Sequence, residues 1–430
     1  MNEGSERARK AIARCREIAE CTEIAGETTR TFLAPSMQRV HELLSGWMHA
    51  ADMAVRVDAA GNLRGVLPAT EVNAPRLVIG SHLDTVANAG AFDGVLGVMM
   101  GLALAEEIGA GRLPFAVEVV GFSEEEGVRF ATPFLGSLAL TGELDASLLA
   151  RKDADGVSVA EAIRGFGLDP AEMTDAQLDA ATFAYLEFHI EQGPVLESEG
   201  CALAVVDAIA GQTRMQLRFT GHANHAGTTP MGPLRQDALA AAAEWVCEVE
   251  RYAGKTRGLV ATVGKIEVPS GAGNVVPGMC AATLDVRHAQ DAVRAKAIQH
   301  LLEFAAAAAA HRGVRLDHTT TLDQAAVAMD AELAKVLIEN TGHATNGEAR
   351  VLTSGAGHDA MILARRVPSA MVFLRTPGGL SHHPDESVIE EDVEAALAAG
   401  LEFLWLLGDD REMLNRLVKN ARVYAGGAHA

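Results

Sequence analysis

The sequence predicts an α/β chain built on an open sheet and interrupted by a smaller α+β unit, and three observations lead there. At 430 residues the chain exceeds the usual reach of one hydrophobic core, so two domains are expected. Short apolar runs in its first and last parts read as buried strands, and each delivers a His or an acidic residue where it stops. Between them, roughly 212–322, the texture changes to half-exposed strands and amphipathic helices in the order β-α-β-β-α-β, a ferredoxin-like unit.

In chain order, residues 5–50 read as helical with a break around Leu33–Pro35, and Met53–Val57 with Leu63–Leu67 as a strand pair. Leu77–Ile79 is a buried strand, the stretch G-S-H-L-D-T-V-A-N-A-G-A-F-D-G follows it, and Val95–Ile108 is a buried helix rich in Ala, Leu and Met. His82 and Asp84 thus leave the end of a strand, and Asp93 sits where a helix begins. Open α/β sheets form ligand crevices outside the carboxyl ends of their strands, so the three together point to a metal. Each alone has a plainer reading: Asp93 as a helix cap, His82 as a hydrogen-bonded core histidine.

Phe115–Phe122 is the next apolar strand and runs into Ser123–Glu124–Glu125–Glu126–Gly127. Three adjacent carboxylates behind a buried strand repel one another unless a cation sits among them; the alternative is a solvated acidic loop. Residues 141–182 are polar helix and loop without a chemical signal. Phe183–Ile190 carries His189 near its end, and the strand Ser369–Arg375 is followed by a loop holding His382 and His383. Four strand ends therefore supply His82, the 124–126 trio, His189, and His382 or His383, a recurrence that independent core histidines do not explain. Imidazole and carboxylate oxygen suit zinc, manganese or cobalt, and no cysteine lies near these positions. His82, Asp93, one Glu, His189 and one further His exceed the three protein ligands of a single catalytic ion and suit two metals sharing a carboxylate.

Composition bounds the partners. Hydrophobic content of 49% with 22% charged residues is that of a globular protein. A net charge of −21 argues against nucleic acid and anionic membrane. Five cysteines (Cys15, Cys21, Cys201, Cys247, Cys280) contain no C-x-x-C pair, which favours a reduced, cytoplasmic protein. The N-terminus is charged, with no signal-type apolar core, and no run is long enough to span a bilayer.

Within the insertion, Thr213–Thr220, Gly258–Val268, Met279–His288 and Val314–Thr321 read as strands, and Arg235–Arg251 and Ala292–His311 as helices. Because the segments on either side both supply residues of the metal set, this unit is read as inserted into one domain. Its loops G-H-A-N-H-A-G-T-T-P-M (221–231) and G-N-V-V-P-G (273–278), and the strand end Asp285–His288, are polar, but their chemistry alone does not rank them.

The ordered set G-S-H-L-D-T-V, F-D-G, E-E-E-G, H-I-E-Q-G-P, H-A-G-T-T-P-M, N-V-V-P-G, S-G-A-G-H-D-A and S-H-H-P resembles the two-metal amidohydrolases that cleave ureido groups. These belong with the aminoacylase and carboxypeptidase-G type metallopeptidases and include allantoate amidohydrolase, β-ureidopropionase and N-carbamoyl-L-amino-acid hydrolase. The resemblance covers nearly the whole chain. It implies a zinc-peptidase-like catalytic domain, a central mixed sheet flanked by helices, in two parts (1–211 and 323–430). The inserted ferredoxin-like lid (212–322) is implied to be the dimerisation surface, giving a homodimer.

Carried across, the resemblance implies two divalent ions per subunit, manganese first with zinc or cobalt as alternatives. Asp93 lies between the ions, His82 and His189 bind one, and Glu126 and His382 bind the other. Glu125 is the general base, Glu124 a bystander, and Asp84 orients the His82 ring. His383 occupies a position that commonly holds Asn or Ser. His225 assists at the developing oxyanion, Arg287 takes the substrate carboxylate, and Asn274 and Gln192 make polar contacts. The stretches 29–36 (T-R-T-F-L-A-P-S), 57–63, 209–214 and Arg235–Asp237 are most similar to members that act on allantoate. The segment Leu322–Ala326 departs from bacterial relatives, which often carry an acidic pair and a proline there. The expected reaction is cleavage of a terminal ureido C–N bond of allantoate to ureidoglycine, ammonia and carbon dioxide. N-carbamoyl-L-amino-acid hydrolysis or β-ureidopropionase activity is the alternative. A non-catalytic binding protein is a remote one, since every ligand position is filled.

Overall fold

The structure is a computed structural model that describes residues 3–427 apart from 270 and 348. The chain divides into two compact units, Met1–Asp207 with Met329–Ala430, and Ala208–Ala328.

The first unit is organised by a mixed sheet flanked by helices. Its strands run in the order Ala54–Val57, Leu63–Leu67, Ala116–Phe122, Arg76–His82, Thr182–Ile190, Ser369–Leu374, Leu203–Ile209, with Arg350–Ser354 also paired to the last. Strands 116–122, 76–82, 182–190 and 369–374 are mutually parallel, while the flanking pairs are antiparallel. Parallel strands covered by helices bury both faces, which is why these segments read as nearly continuous apolar runs. Register then fixes where the chemistry emerges. His82 pairs with Phe122, and His189 with Phe373, so both histidines and the segments after Phe122 and Leu374 leave the same edge.

Helix Val95–Ile108 is buried nearly all round. It lies close to the sheet because Gly97 and Gly101 present no side chain: a Cβ at 97 would stand 2.2 Å from the carbonyl oxygen of Phe188, and one at 101 would stand 3.1 Å from Ile79. Residues 5–50 prove less helical than expected, with helices Glu3–Ala19 and Pro35–Ala50 and a non-helical stretch between. There the backbone bonds outward instead of to itself. Arg30 N–H donates to Thr85 Oγ1 (2.9 Å), its carbonyl accepts from Thr85 N–H (2.8 Å), and its buried guanidinium donates to the carbonyls of Leu83, Ile18 and Cys21.

The second unit has the expected connectivity. Strands Gly211–Thr220 and Met279–His288 pair antiparallel over ten residues, Arg315–Gln324 joins the first, and Val260–Thr262 and Ile266–Glu267 join the second. The single strand expected over 258–268 is thus two short ones. Helices Ala238–Ala253 and Asp291–His311 bury Trp245 and Leu301 against Phe219 and Leu284 of the sheet. The unit begins four residues before the expected 212 and ends six after the expected 322. The reason is that the entering and leaving chains pair with each other, Ile209 with Val327 and Ala208 with Ala328. Among the described residues no helix is long and apolar enough to cross a membrane.

Gly97→Ala is expected to lower stability by about 1–3 kcal/mol through overpacking, read as a shifted denaturant midpoint. An unchanged midpoint would show that the helix has slack against Phe188.

Candidate metal centre and active site

The site starts from Asp93, two residues before the buried helix Val95–Ile108. Gly94 follows it at φ 68°, and a Cβ there would stand 2.5 Å from the His82 ring, so the F-D-G turn needs glycine for both its conformation and its proximity. The backbone N–H groups of Phe92 and Asp93 donate to Glu386 Oε1 at 2.8 and 2.9 Å. Gln192 Nε2 donates to both Asp93 oxygens at 3.1 Å, and Ser381 Oγ donates to Oδ2 at 3.0 Å.

Three imidazoles turn toward this carboxylate. His189 Nε2 lies 3.3 Å and His82 Nε2 3.8 Å from Oδ1, and His382 Nε2 lies 3.2 Å from Oδ2 and 3.4 Å from Glu126 Oε1. The first two rings are held from behind: Nδ1 of His82 lies 3.0 Å from the Asp84 carbonyl and Nδ1 of His189 lies 2.9 Å from the Ile190 carbonyl. A carbonyl only accepts, so each Nδ1 carries a proton, and His189, kept neutral by burial, presents its Nε2 lone pair to Asp93. Lone pair against carboxylate is repulsive without a cation between them. His189 Nε2 is buried with no hydrogen-bond partner, and burial lowers that imidazole to a pKa of about 4, which keeps it in the ligand form. His383 instead accepts the Asp385 N–H at Nδ1 (3.1 Å).

Donor groups able to hold an ion fall into two sets sharing Asp93: His82–Asp93–His189, and Asp93–Glu126–His382. A third set, His82–Glu125–Glu126, links them through the acidic trio, and a fourth, Glu187–His189–His358, shares His189. Gln192 and His382 both hold left-handed backbone, at φ 58° and 56°. Such strain in non-glycine residues concentrates at functional sites.

Asp84 does more than expected. Its carboxylate lies 3.4 Å from His82 Nδ1 and accepts the backbone N–H groups of Glu125 (2.9 Å) and Glu126 (3.1 Å), so one side chain fixes both the ring and the acidic turn. Glu124, expected to be a bystander, is fully buried: one oxygen accepts the Gly127 N–H, and burial followed by the nearby Asp84 pushes its pKa well up. It is a structural member of the turn. Burial likewise pushes Glu125 well up, and raises Glu126 and Glu386 to about 7. His82 is raised well above its ordinary value, burial being outweighed by Asp84, Glu125 and Asp93. A buried centre whose carboxyls retain protons toward neutrality is short of positive charge, and divalent cations would supply it.

Sequence reasoning missed a layer beneath this one. Glu187 is fully buried and accepts from Ser81 Oγ, Tyr185 Oη and the Ala360 N–H at 2.9–3.1 Å. His358, bonded to Ser354 at 2.9 Å, packs edge-on against the His189 ring at 4.5 Å between centroids. The S-G-A-G-H-D-A motif was the available signal for His358. Glu386 had only its closeness to His382 in sequence.

His225, Asn274 and Arg287 belong to the second unit. His225 pairs with Val275 in a two-stranded ribbon, and the Asn274 carbonyl accepts the Ala226 N–H, so the first two are neighbours. His225 Nδ1 accepts the Gly227 N–H at 3.1 Å, which puts the proton of the neutral ring on Nε2. Arg287 donates to both oxygens of Asp285 at 2.9 and 3.1 Å, and Gln212 and Arg214 also bind that carboxylate.

The chain is similar to known proteins over most of its length. The profile of peptidase family M20/M25/M40 matches residues 78–405. An allantoate deiminase of Arabidopsis thaliana is 37% identical, over 92% of this chain and 81% of its own length. An N-carbamoyl-L-amino acid amidohydrolase of Geobacillus stearothermophilus is 37% identical, over 89% and 92%. The crystal structure of an amidase of the hydantoinase/carbamoylase family from Burkholderia multivorans matches with a TM-score of 0.86 at 31% identity, covering 93% of this chain and 98% of that one.

The raised carboxyls give a pH dependence with a definite sign. Without metal, Glu126 and Glu386 bind protons more tightly folded (about 7) than unfolded (4.5), so their contribution is full below pH 4.5 and lost as pH climbs toward 7. Divalent cations compensate the ionised forms. Chelation is therefore expected to lower Tm more at about pH 7.5 than at about pH 5, where protons already neutralise the site. An equal loss at both values would contradict the cation deficit.

Proposed function

This chain belongs to peptidase family M20/M25/M40, and from that premise we propose that it is a metal-dependent amidohydrolase of ureido acids whose substrate is allantoate. It is a hydrolase of C–N bonds, as its relatives' names describe theirs. The observation that carries the metal reading is the pair of donor sets sharing Asp93. We assign His82 and His189 to one ion, Glu126 and His382 to the other, and Asp93 to both, with manganese as the first candidate and zinc or cobalt as alternatives. Bound there, two divalent ions supply Lewis-acid polarisation of the carbonyl and a lowered pKa for water.

The residues of this chain supply the rest. Glu125 takes a proton from the attacking water and delivers it to the departing nitrogen. Its burial beside Glu126 makes it a carboxyl of raised proton affinity, suited to both halves of that transfer. The oxyanion that develops at the ureido carbon needs donors, and His225, whose Nε2 carries the proton, is assigned to it. Arg287, fixed by Asp285, is assigned to the substrate carboxylate. Gln192 spends its Nε2 on Asp93, while its Oε1 is buried without a partner and fits a ureido N–H. Asn274 is the further amide contact. The products are ureidoglycine, ammonia and carbon dioxide. We also propose a homodimer joined through the second unit, and a cytoplasmic setting, in keeping with five free cysteines.

N-carbamoyl-L-amino acids are the second reading, since relatives with that name are equally identical. Allantoate presents two ureido groups, and an apolar amino acid would leave the Gln192 and Asn274 amides unpaired at about 1–3 kcal/mol each. The expected kcat/KM for allantoate thus exceeds that for N-carbamoyl-L-leucine by about tenfold or more in manganese-loaded protein. The reverse order would sink the allantoate assignment and leave the metal assignment standing.

Glu125→Gln is expected to keep both metal equivalents and lose about two to four orders of magnitude in kcat. Glu126→Gln and Asp93→Ala should lose metal by elemental analysis. Metal loss in the Glu125 variant instead would exchange the two roles.

A further inference from the structure

The sheet of the first unit has a second built feature, at the edge opposite its chemistry. Where strands Arg76–His82, Thr182–Ile190 and Ser369–Leu374 begin, a cavity of about 600 Å³ opens between them and helix Arg411–Gly427. We propose that this cavity binds a small amphipathic anion, a carboxylate or phosphate ester carrying an apolar body, at a site separate from the metal centre.

Its size falls within the range of small-molecule sites, and Phe183 and Val418 give its wall an apolar character. Arg366 and Arg422 also line it, and neither side chain has a hydrogen bond or ion pair among the described residues. Their sequence neighbours behave differently: Arg365 pairs with Glu143, and Arg416, on the same helix as Arg422, pairs with Glu332 at 2.9 Å. In a chain of net charge −21, two arginines that line one cavity and hold no carboxylate partner are a binding element for an anion. Asp179, the acidic residue of the lining, is already neutralised by Arg76 at 3.1 Å and by the Ala181 N–H at 2.8 Å.

Thr182 adds an independent observation. It lies in the wall, is 5% exposed, and its hydroxyl is buried with no partner. Unpaired buried hydroxyls are uncommon. Seven residues of the same strand separate Thr182 from His189, about 23 Å at strand spacing, so an occupant does not touch the metal donors. The apolar wall sets the ligand apart from a bare inorganic anion.

The test titrates the full-length, metal-loaded protein calorimetrically with octanoate, octyl phosphate and inorganic phosphate. Octanoate or octyl phosphate is expected to bind with Kd below about 1 mM, and inorganic phosphate much more weakly. The better of the two identifies the headgroup. In Arg366→Ala/Arg422→Ala the affinity should fall at least about tenfold, while turnover without the probe stays at the wild-type level. If that double variant lacks a cooperative melt, the single variants Arg366→Gln and Arg422→Gln carry the same comparison. Unchanged affinity in folded variants places the anion elsewhere and overturns the proposal, as does absence of heat at about 10 mM. Inorganic phosphate binding as tightly as the octyl compounds overturns the amphipathic class.

Discussion

Everything at the carboxyl edge of the sheet depends on holding one buried carboxylate against three imidazole nitrogens. Asp93 sits among His82, His189 and His382 with its oxygens 3.2–3.8 Å from their Nε2 atoms. Gln192 and Ser381 donate to it from the sides, and Glu386 holds its backbone from behind. The donors come from different strand ends. Such convergence is possible only because parallel strands in register end together, so the sheet topology precedes the chemistry. The glycines at 94 and 97 matter for the same reason: each removes a side chain that would push the Asp93 turn off the sheet.

How much of this was legible follows from the kind of signal each residue left. His82, Glu125, Glu126 and His189 stand just at or past apolar runs, and His382 in the loop that follows one, where polarity changes abruptly, and the sequence shows such edges well. Which Glu of the trio and which of two histidines faces inward turns on a single residue of register, and only the resemblance to a family offered an answer. Alternation in 213–220 and 279–288 marked the insertion, because one face of its sheet is packed and the other is not. Glu187 left no mark, since one acid inside T-F-A-Y-L-E-F-H-I looks like noise until Ser81 and Tyr185 are seen to face it. The Arg30 segment was misread because its backbone is paid in hydrogen bonds to Thr85, far away in sequence.

The site's charge arrangement also explains its layered construction. A carboxylate-rich pocket in a low-dielectric interior would expand or protonate if its members were free to move. Here each member is anchored through a different group. Asp84 binds the backbone of Glu125 and Glu126, Glu386 the backbone of Phe92 and Asp93, and Glu187 the backbone of Ala360. Using carboxylates to pin N–H groups places negative charge around the donor sets and leaves the donor atoms of those sets available to hold a cation. A pocket assembled this way resists collapse when metal leaves, because its shape does not derive from the ion alone.

Such a construction has a cost that must be met elsewhere. Left-handed Gln192 and His382 carry about 1–3 kcal/mol each, and every raised carboxyl opposes folding near neutral pH. The offset comes from the helix Val95–Ile108, whose Leu96, Met99, Leu102 and Leu104 are wholly buried in the core of the first unit. The site therefore sits at the N-terminal end of a long, deeply buried helix, beside the elements that can bear its strain. At that junction the φ of 68° and the His82 ring, 2.5 Å from where a Cβ would stand, require glycine at 94, so the turn joins the strained centre directly to the core that sustains it.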